Sequence, residues 1–101
     1  MKKLFKGMRG NAYKLVVAVD GLQLDPRLDI ASISPNGFEC GYDGVGAKQL
    51  AIALLAACPC SDDQVLRLYE KVSRDLIAQL PRDGWTMTSD QILGAISQTN
   101  Q

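Results

Sequence analysis

The sequence predicts a small α+β domain, with three to four short antiparallel strands at the N-terminal end packed on about three helices. Three observations carry this. Alternating apolar and β-branched residues come first and are followed by an Asp-Gly pair. A continuous apolar run from Leu50 to Ala57 then shows no polar face, the mark of a buried helix. Behind it lie two stretches of helical periodicity, each opened by a capping box.

Leu4 to Met8 reads as a short strand and Gly10-Asn11 as a turn. Ala12 to Val19 is the clearest strand, with Tyr13, Leu15, Val17 and Val19 on one face and Val16 and Ala18 on the other. Apolar residues on both faces predict a central position. Asp20 and Gly21 tolerate the positive φ of a tight hairpin turn, so Leu22-Gln23-Leu24 starts the return strand. Asp25-Pro26-Arg27 ends it, because proline cannot donate to the ladder. Leu28 to Ile33 is expected to hold another short extended piece. Ser34-Pro35-Asn36-Gly37 turns the chain, and Phe38 to Tyr42 is again extended.

The first helix is expected over 47–58, lying between the sheet and the other helices. Its alanines permit close approach and Pro59 stops it. The second, over 62–80, is capped by Ser61 and Gln64, with Asp62 and Asp63 at the positive end of the helix dipole. Val65, Leu68, Tyr69, Val72, Leu76 and Leu80 form its core stripe, and Pro81 ends it. Glu70–Arg74 and Lys71–Asp75 have the spacing of helical ion pairs. Asp83-Gly84 turns the chain and Trp85 to Met87 is extended. Thr88 and Gln91 then cap a last helix over 89–97.

With 101 residues, 47% apolar and 22% charged, the chain has the balance of one soluble globular domain over 1–101. It has no histidine, which removes Ser-His-Asp and Cys-His mechanisms, H-E-x-x-H zinc proteases and Cys/His zinc fingers. No apolar run is long enough to cross a bilayer. Met1-Lys2-Lys3 starts like a secretory leader, but Lys6, Gly7 and Arg9 interrupt any apolar core, which points to the cytoplasm. Cys58 and Cys60 stand too close for an unstrained disulfide. Together with Cys40 they offer three thiolates, yet zinc would need an unusual fourth ligand such as Asp62. Buried free thiols are the expectation, with no metal and no cofactor.

Lys2, Lys3, Lys6, Arg9 and Lys14 fall in the first fourteen residues without an acid among them, while 15–101 holds six bases and eleven acids, a net −5. A basic arm on an acidic body suits a nucleic-acid or acidic-protein partner. Lysines also protect an edge strand from pairing with another sheet. The second reading is preferred, since a few dispersed charges hold phosphate weakly at physiological salt. An edge at Leu4 to Met8 makes the protein a monomer or an edge-strand homodimer.

The glycine loop from Gly41 to Gly46 opens a helix, where free N–H groups and the dipole hold anions, and Lys48 adds a charge. Its spacing matches neither G-x-G-x-x-G nor a P-loop, and a tightly packed turn explains the glycines more simply. Asp25, Asp29, Glu39, Asp43 and Asp83 gather at turns, where two of them could act as acid and base, or could simply bind backbone N–H groups. Phe38 and Trp85 are expected in the core, whereas Tyr42 suits either the core or an interface. Arg27, between Asp25 and Asp29, can clamp an external carboxylate or pair with its neighbours. The candidate binding residues are Arg27, Gly41, Tyr42, Asp43, Gly44, Gly46, Lys48, Arg82 and Asp83. Lys2, Lys3, Lys6 and Arg9 serve the nucleic-acid alternative. No residue is assigned a catalytic role.

Several blocks together carry a family likeness. They are Asp20-Gly21, Leu24, Arg27-Leu28-Asp29, Ser34-Pro35, Gly37-Phe38, Gly41-Tyr42 and Gly44-x-Gly46, followed by Gln49-Leu50-Ala51-x-Ala53, Leu80-Pro81-x-Asp83-x-Trp85 and Thr86-x-Thr88. Across 4–97 the chain resembles a catalogued domain of unknown function found in bacteria, archaea and their mobile elements and phages. Members often have Trp where Cys40 stands, and Gly-Gly-Ser-Gly-Pro where this chain has Asp43-Gly44-Val45-Gly46-Ala47. Losing that serine weakens a phosphate reading. The resemblance implies no activity or cofactor, but it does imply a setting in which small accessory proteins act by occupying another protein.

Three functions follow in order of preference. The first is a non-enzymatic protein-binding module, such as a mobile-element or phage factor modulating host antiviral defence. The second is a nucleic-acid or nucleotide-binding module using the basic arm and the glycine loop. The third is a small hydrolase or transferase using a carboxylate pair or the Cys40 thiol, which no histidine can activate.

Overall fold

In the computed structural model, which describes residues 3–34, 37–42, 44–58 and 60–99, four antiparallel strands form one sheet. They are β1 (Leu4–Arg9), β2 (Leu15–Val19), β3 (Leu22–Gln23) and β4 (Gly84–Thr88), in the order β3-β2-β1-β4. Three helices complete the α+β fold: α1 (Val45–Ala57), α2 (Asp62–Asp75) and α3 (Ser89–Thr99).

β1 is not the edge strand its lysines suggested. β4, from the far end of the chain, pairs along it from Leu4↔Thr88 to Met8↔Gly84, and β2 pairs on its other side. Both backbone edges of β1 are therefore used, and Leu4 to Met8 cannot join a second copy by strand pairing. Lys6 is exposed because it points to the face of the sheet opposite the core.

β2 begins at Leu15, later than the alternation predicted. Ala12 and Tyr13 adopt positive φ values of 58° and 60° in a short 3-10 turn, so Tyr13 leaves the strand face. The hairpin turn forms as expected, with Asp20 at φ 50° and Gly21 at φ 85°. Asp20 Oδ1 also accepts from the Leu4 N–H at 2.9 Å. Leu24 N–H donates to the Val17 carbonyl, and the chain then departs at Pro26.

No strand forms over Leu28 to Ile33. That stretch is held instead by Gln49, which is fully buried in α1. Gln49 Oε1 accepts from the N–H groups of Ile33 and Ser34 at 2.8 and 3.0 Å, while Nε2 donates to the Pro26 and Ala31 carbonyls at 2.7 and 3.1 Å. Pro35 and Asn36 of the expected turn lie outside the described residues. Phe38 makes a single bridge to Leu15.

α1 is buried from Gln49 to Leu55 and packs on α2, as a helix without a polar face requires. Pro59, the expected stop, lies outside the described residues. α2 ends at Asp75, short of the expected 80, with Leu76 at φ −116°, and Leu80, which precedes Pro81, is held in the extended region. Between them a 3-10 turn over Ile77–Gln79 buries Ile77. Both capping boxes are present. Gln64 N–H donates to Ser61 Oγ and Gln91 N–H to Thr88 Oγ1, while each glutamine carbonyl takes the cap's N–H at 2.8 Å. Arg74 pairs with Asp75 at 3.3 Å, an exposed contact that contributes little.

One face of the sheet, with Phe5, Leu15, Val17, Trp85 and Met87, joins the helices in one core. Gly7 lies beneath the Trp85 indole, where an added Cβ would stand 2.4 Å from Cε2. Trp85 Nε1 is buried and finds no hydrogen-bond partner among the described residues. All three cysteines are free, and burial pushes the Cys58 thiol up to about 11. No described helix is long and apolar enough to cross a membrane.

Candidate functional site

A corner at one end of the sheet gathers residues from four parts of the chain. Arg9 ends β1, Tyr13 sits in the following turn, Glu39 and Tyr42 precede α1, and Arg82 and Asp83 lead into β4. Five of them, Arg9, Tyr13, Glu39, Tyr42 and Arg82, line a cleft of about 180 Å³.

Arg9 is the organiser of this corner. Its Nη1 reaches both oxygens of Glu39, at 2.9 and 3.1 Å, and its Nε donates to the Arg82 carbonyl at 2.6 Å. Its guanidinium also lies 4.8 Å from the Tyr13 ring centroid, in cation–π contact. Burial opposes the charge, but the bonds to Glu39 outweigh it and hold the Arg9 pKa above its ordinary value.

Tyr13 donates its hydroxyl proton to Asp83 Oδ1. That acceptor raises the phenol above the usual value of 10.0. The bond holds while the phenol is protonated and is lost as pH rises through the raised pKa. Asp83→Asn removes the acceptor's charge and is expected to bring the Tyr13 midpoint back down. Ultraviolet tyrosinate titration of the variant against the parent reads this, and coincident titration curves would refute the bond.

The glycine loop serves packing here. An added Cβ on Gly44 would lie 2.7 Å from Tyr42 Cε2, one on Gly41 2.4 Å from Arg82 Cγ, and one on Gly46 2.8 Å from Glu39 Cβ. Tyr42 is thus backed by Gly44 on one side, and Arg82 lies 5.3 Å from its ring centroid. Gly41 also needs its positive φ of 87° and donates its N–H to the Ile77 carbonyl. Among the described residues the Arg82 guanidinium makes no hydrogen bond and no ion pair. Tyr42 is 46% exposed.

Of the sequence-predicted site residues, Gly41, Tyr42, Gly44, Gly46, Arg82 and Asp83 come together here. Asp43 lies outside the described residues, and Lys48 stands in the first turn of α1 away from the lining of the cleft. Arg27 is elsewhere. Its N–H donates to Asp25 at 2.9 Å and its guanidinium grips Asp29 with two 3.0 Å bonds, holding that carboxyl below its usual range. It is the local ion pair that the flanking acids allowed. Asp25 and Asp29 are therefore occupied by Arg27, Glu39 by Arg9 and Asp83 by Tyr13. Cys40 is fully buried, with its thiol donating to the Pro81 carbonyl at 3.5 Å.

The basic arm is split by the fold. Lys3 Nζ donates to the Ala57 carbonyl at 2.7 Å, a cation on the negative end of α1, and Arg9 turns to Glu39. Lys6 stays exposed, and Lys2 lies outside the described residues. Sequence reasoning missed Tyr13, which it assigned to a strand face. It treated Glu39 only as a loose carboxylate. The Gly10-Asn11 turn signal, extended by two residues, is what marks Tyr13.

No curated protein and no solved structure matches the chain. A family model, described as a family of unknown function (DUF6166), matches residues 5–98, which include every described residue of this corner. The chain belongs to the family of unknown function DUF6166.

Proposed function

We propose that the protein is a non-enzymatic protein-binding module whose contact surface is the Tyr42–Arg82 corner. One observation carries this reading: an exposed guanidinium, without a carboxylate among the described residues, is held over a half-exposed tyrosine ring. Arginine and tyrosine are the residue types that anchor interfaces, and a stacked guanidinium presents its donors in a pre-organised plane. The cleft of about 180 Å³ is smaller than the roughly 300–1,000 Å³ of small-molecule sites. The finer reading is a cytoplasmic accessory factor of mobile elements or phages acting on a host system, and it rests on the setting that the family resemblance implied.

Nucleic-acid binding is the second reading. It loses support because Lys3 and Arg9 are committed to internal partners, which leaves fewer cations free for phosphate.

The test is affinity capture with the tagged protein from a lysate of its own host, with and without nuclease, read by mass spectrometry. The parent protein is expected to retain one partner at stoichiometric level after nuclease, and the Tyr42→Ala/Arg82→Glu double variant to lose it at least tenfold. Equal retention by the variant overturns the choice of surface. Retention that disappears with nuclease transfers the function to nucleic acid.

A further inference from the structure

A second cleft lies away from the Tyr42–Arg82 corner, and no described residue lines both. It has a volume of about 340 Å³, within the range of roughly 300–1,000 Å³ expected of small-molecule sites. Its origin is topological. β3 is only two residues long, so the chain leaves β2 after Leu24, and Phe38 rejoins it through one bridge at Leu15. The gap between these two contacts opens onto the core. Leu15, Val17 and Leu24, each no more than 4% exposed, make an apolar floor that Phe38 continues.

The described rim has one charge. Among the described residues of the lining Lys14 is the sole ionisable one and none is a carboxylate. Its backbone is clamped on both sides, with Gly10 N–H donating to the Lys14 carbonyl at 2.8 Å and Lys14 N–H to the Asn11 carbonyl at 3.2 Å. Its side chain leans along Gly37, where an added Cβ would lie 3.7 Å from Cε. Among the described residues the Lys14 ammonium has no hydrogen bond or ion pair. Ser34 Oγ is already committed to the Gly37 carbonyl at 2.8 Å.

We propose that this cleft between β2 and Phe38 binds a small carboxylate with an apolar body, the body on Leu15, Val17 and Leu24 and the carboxylate on Lys14. A single ammonium matches one negative charge, and burial on the apolar floor supplies what an exposed ion pair alone does not. The same chemistry is offered by a free aliphatic or aromatic acid and by the C-terminal residue of a polypeptide that ends in an apolar side chain. The proposal is independent of the protein-binding reading of the Tyr42–Arg82 corner.

The experiment is a titration of the ¹⁵N-labelled protein, followed by amide chemical shifts, with sodium hexanoate and with hexanol, on the parent and on Lys14→Ala. Lys14 is exposed, and the same spectra report whether the variant keeps its fold. The expected result is saturable shifts confined to Val16, Val17, Leu24, Gly37 and Phe38 with hexanoate. Binding is expected to be about three- to tenfold weaker for hexanol and for the variant. An acetyl-Gly-Gly-Leu peptide, as free acid and as amide, separates the two sources. Tighter binding of the free-acid peptide than of hexanoate assigns a polypeptide C-terminus, and weaker binding assigns a free acid. Absence of saturable shifts, shifts centred elsewhere, or equal binding of hexanol and hexanoate with Lys14→Ala unchanged overturns the proposal.

Discussion

Gln49→Leu is expected to lower the unfolding free energy by about 3–4 kcal/mol. The side chain fits the space, so the loss is one of hydrogen bonds. Two N–H groups, of Ile33 and Ser34, and two carbonyls, of Pro26 and Ala31, lose their partner together. The segments carrying them are half-buried, so water replaces only part of what is lost, and about 1 kcal/mol for each group is the appropriate scale. That is a large share of the roughly 5–15 kcal/mol by which a domain is stable. Denaturant unfolding measures it, and a loss below about 1 kcal/mol would show that the loop is held by other contacts.

Gln49→Glu sharpens this prediction. Its carboxylate still accepts from Ile33 and Ser34 but faces the Pro26 and Ala31 carbonyls without a donor. Burial and the carbonyls raise its pKa in the folded state above the unfolded value. The destabilisation is then full at neutral pH and is relieved as pH falls through the raised value and the group takes up a proton. Stability of this variant relative to the parent should improve in mild acid.

Gly7→Ala is expected to cost about 2–3 kcal/mol, although alanine is ordinarily the better strand residue. The new methyl would stand 2.4, 2.6 and 2.7 Å from Cε2, Cζ2 and Nε1 of Trp85. The indole cannot yield cheaply, since it is a buried ring on β4, whose backbone is paired to β1 across Gly7↔Trp85. Trp85 is the sole tryptophan, so its emission reports the displacement directly. In a Trp85→Leu background the same substitution should cost little, giving a coupling of about 1.5 kcal/mol or more in the double-mutant cycle. A neutral Gly7→Ala variant with unchanged emission would mean that β1 and β4 separate freely at this point.

Much of the fold was legible because its signals are short. The capping boxes Ser61–Gln64 and Thr88–Gln91 each join residues three positions apart, and both form. Asp20-Gly21 needs only its own positive φ values. The faceless apolar run of α1 states its burial without reference to any partner. The candidate site was legible in part. Gly41, Tyr42, Arg82 and Asp83 were identified as residues, but an anion-cradling glycine loop was one reading of a segment whose glycines make room for Glu39, Tyr42 and Arg82. Arg9 was assigned to a basic arm, because its partner Glu39 is thirty residues away.

The sequence by itself therefore determined the class of the domain, its hairpin turn, its caps and its buried helix, all of which depend on residues a few positions apart. Only the tertiary structure decided that β1 is an interior strand, that Lys3 caps α1 and that Arg9, Glu39, Tyr13 and Asp83 share a corner. The contacts responsible link residues 30 to 86 positions apart. Such a pairing costs chain entropy that no local pattern encodes. It forms because one face of the sheet and the helices share a single core, and closing that core brings β4 back to β1.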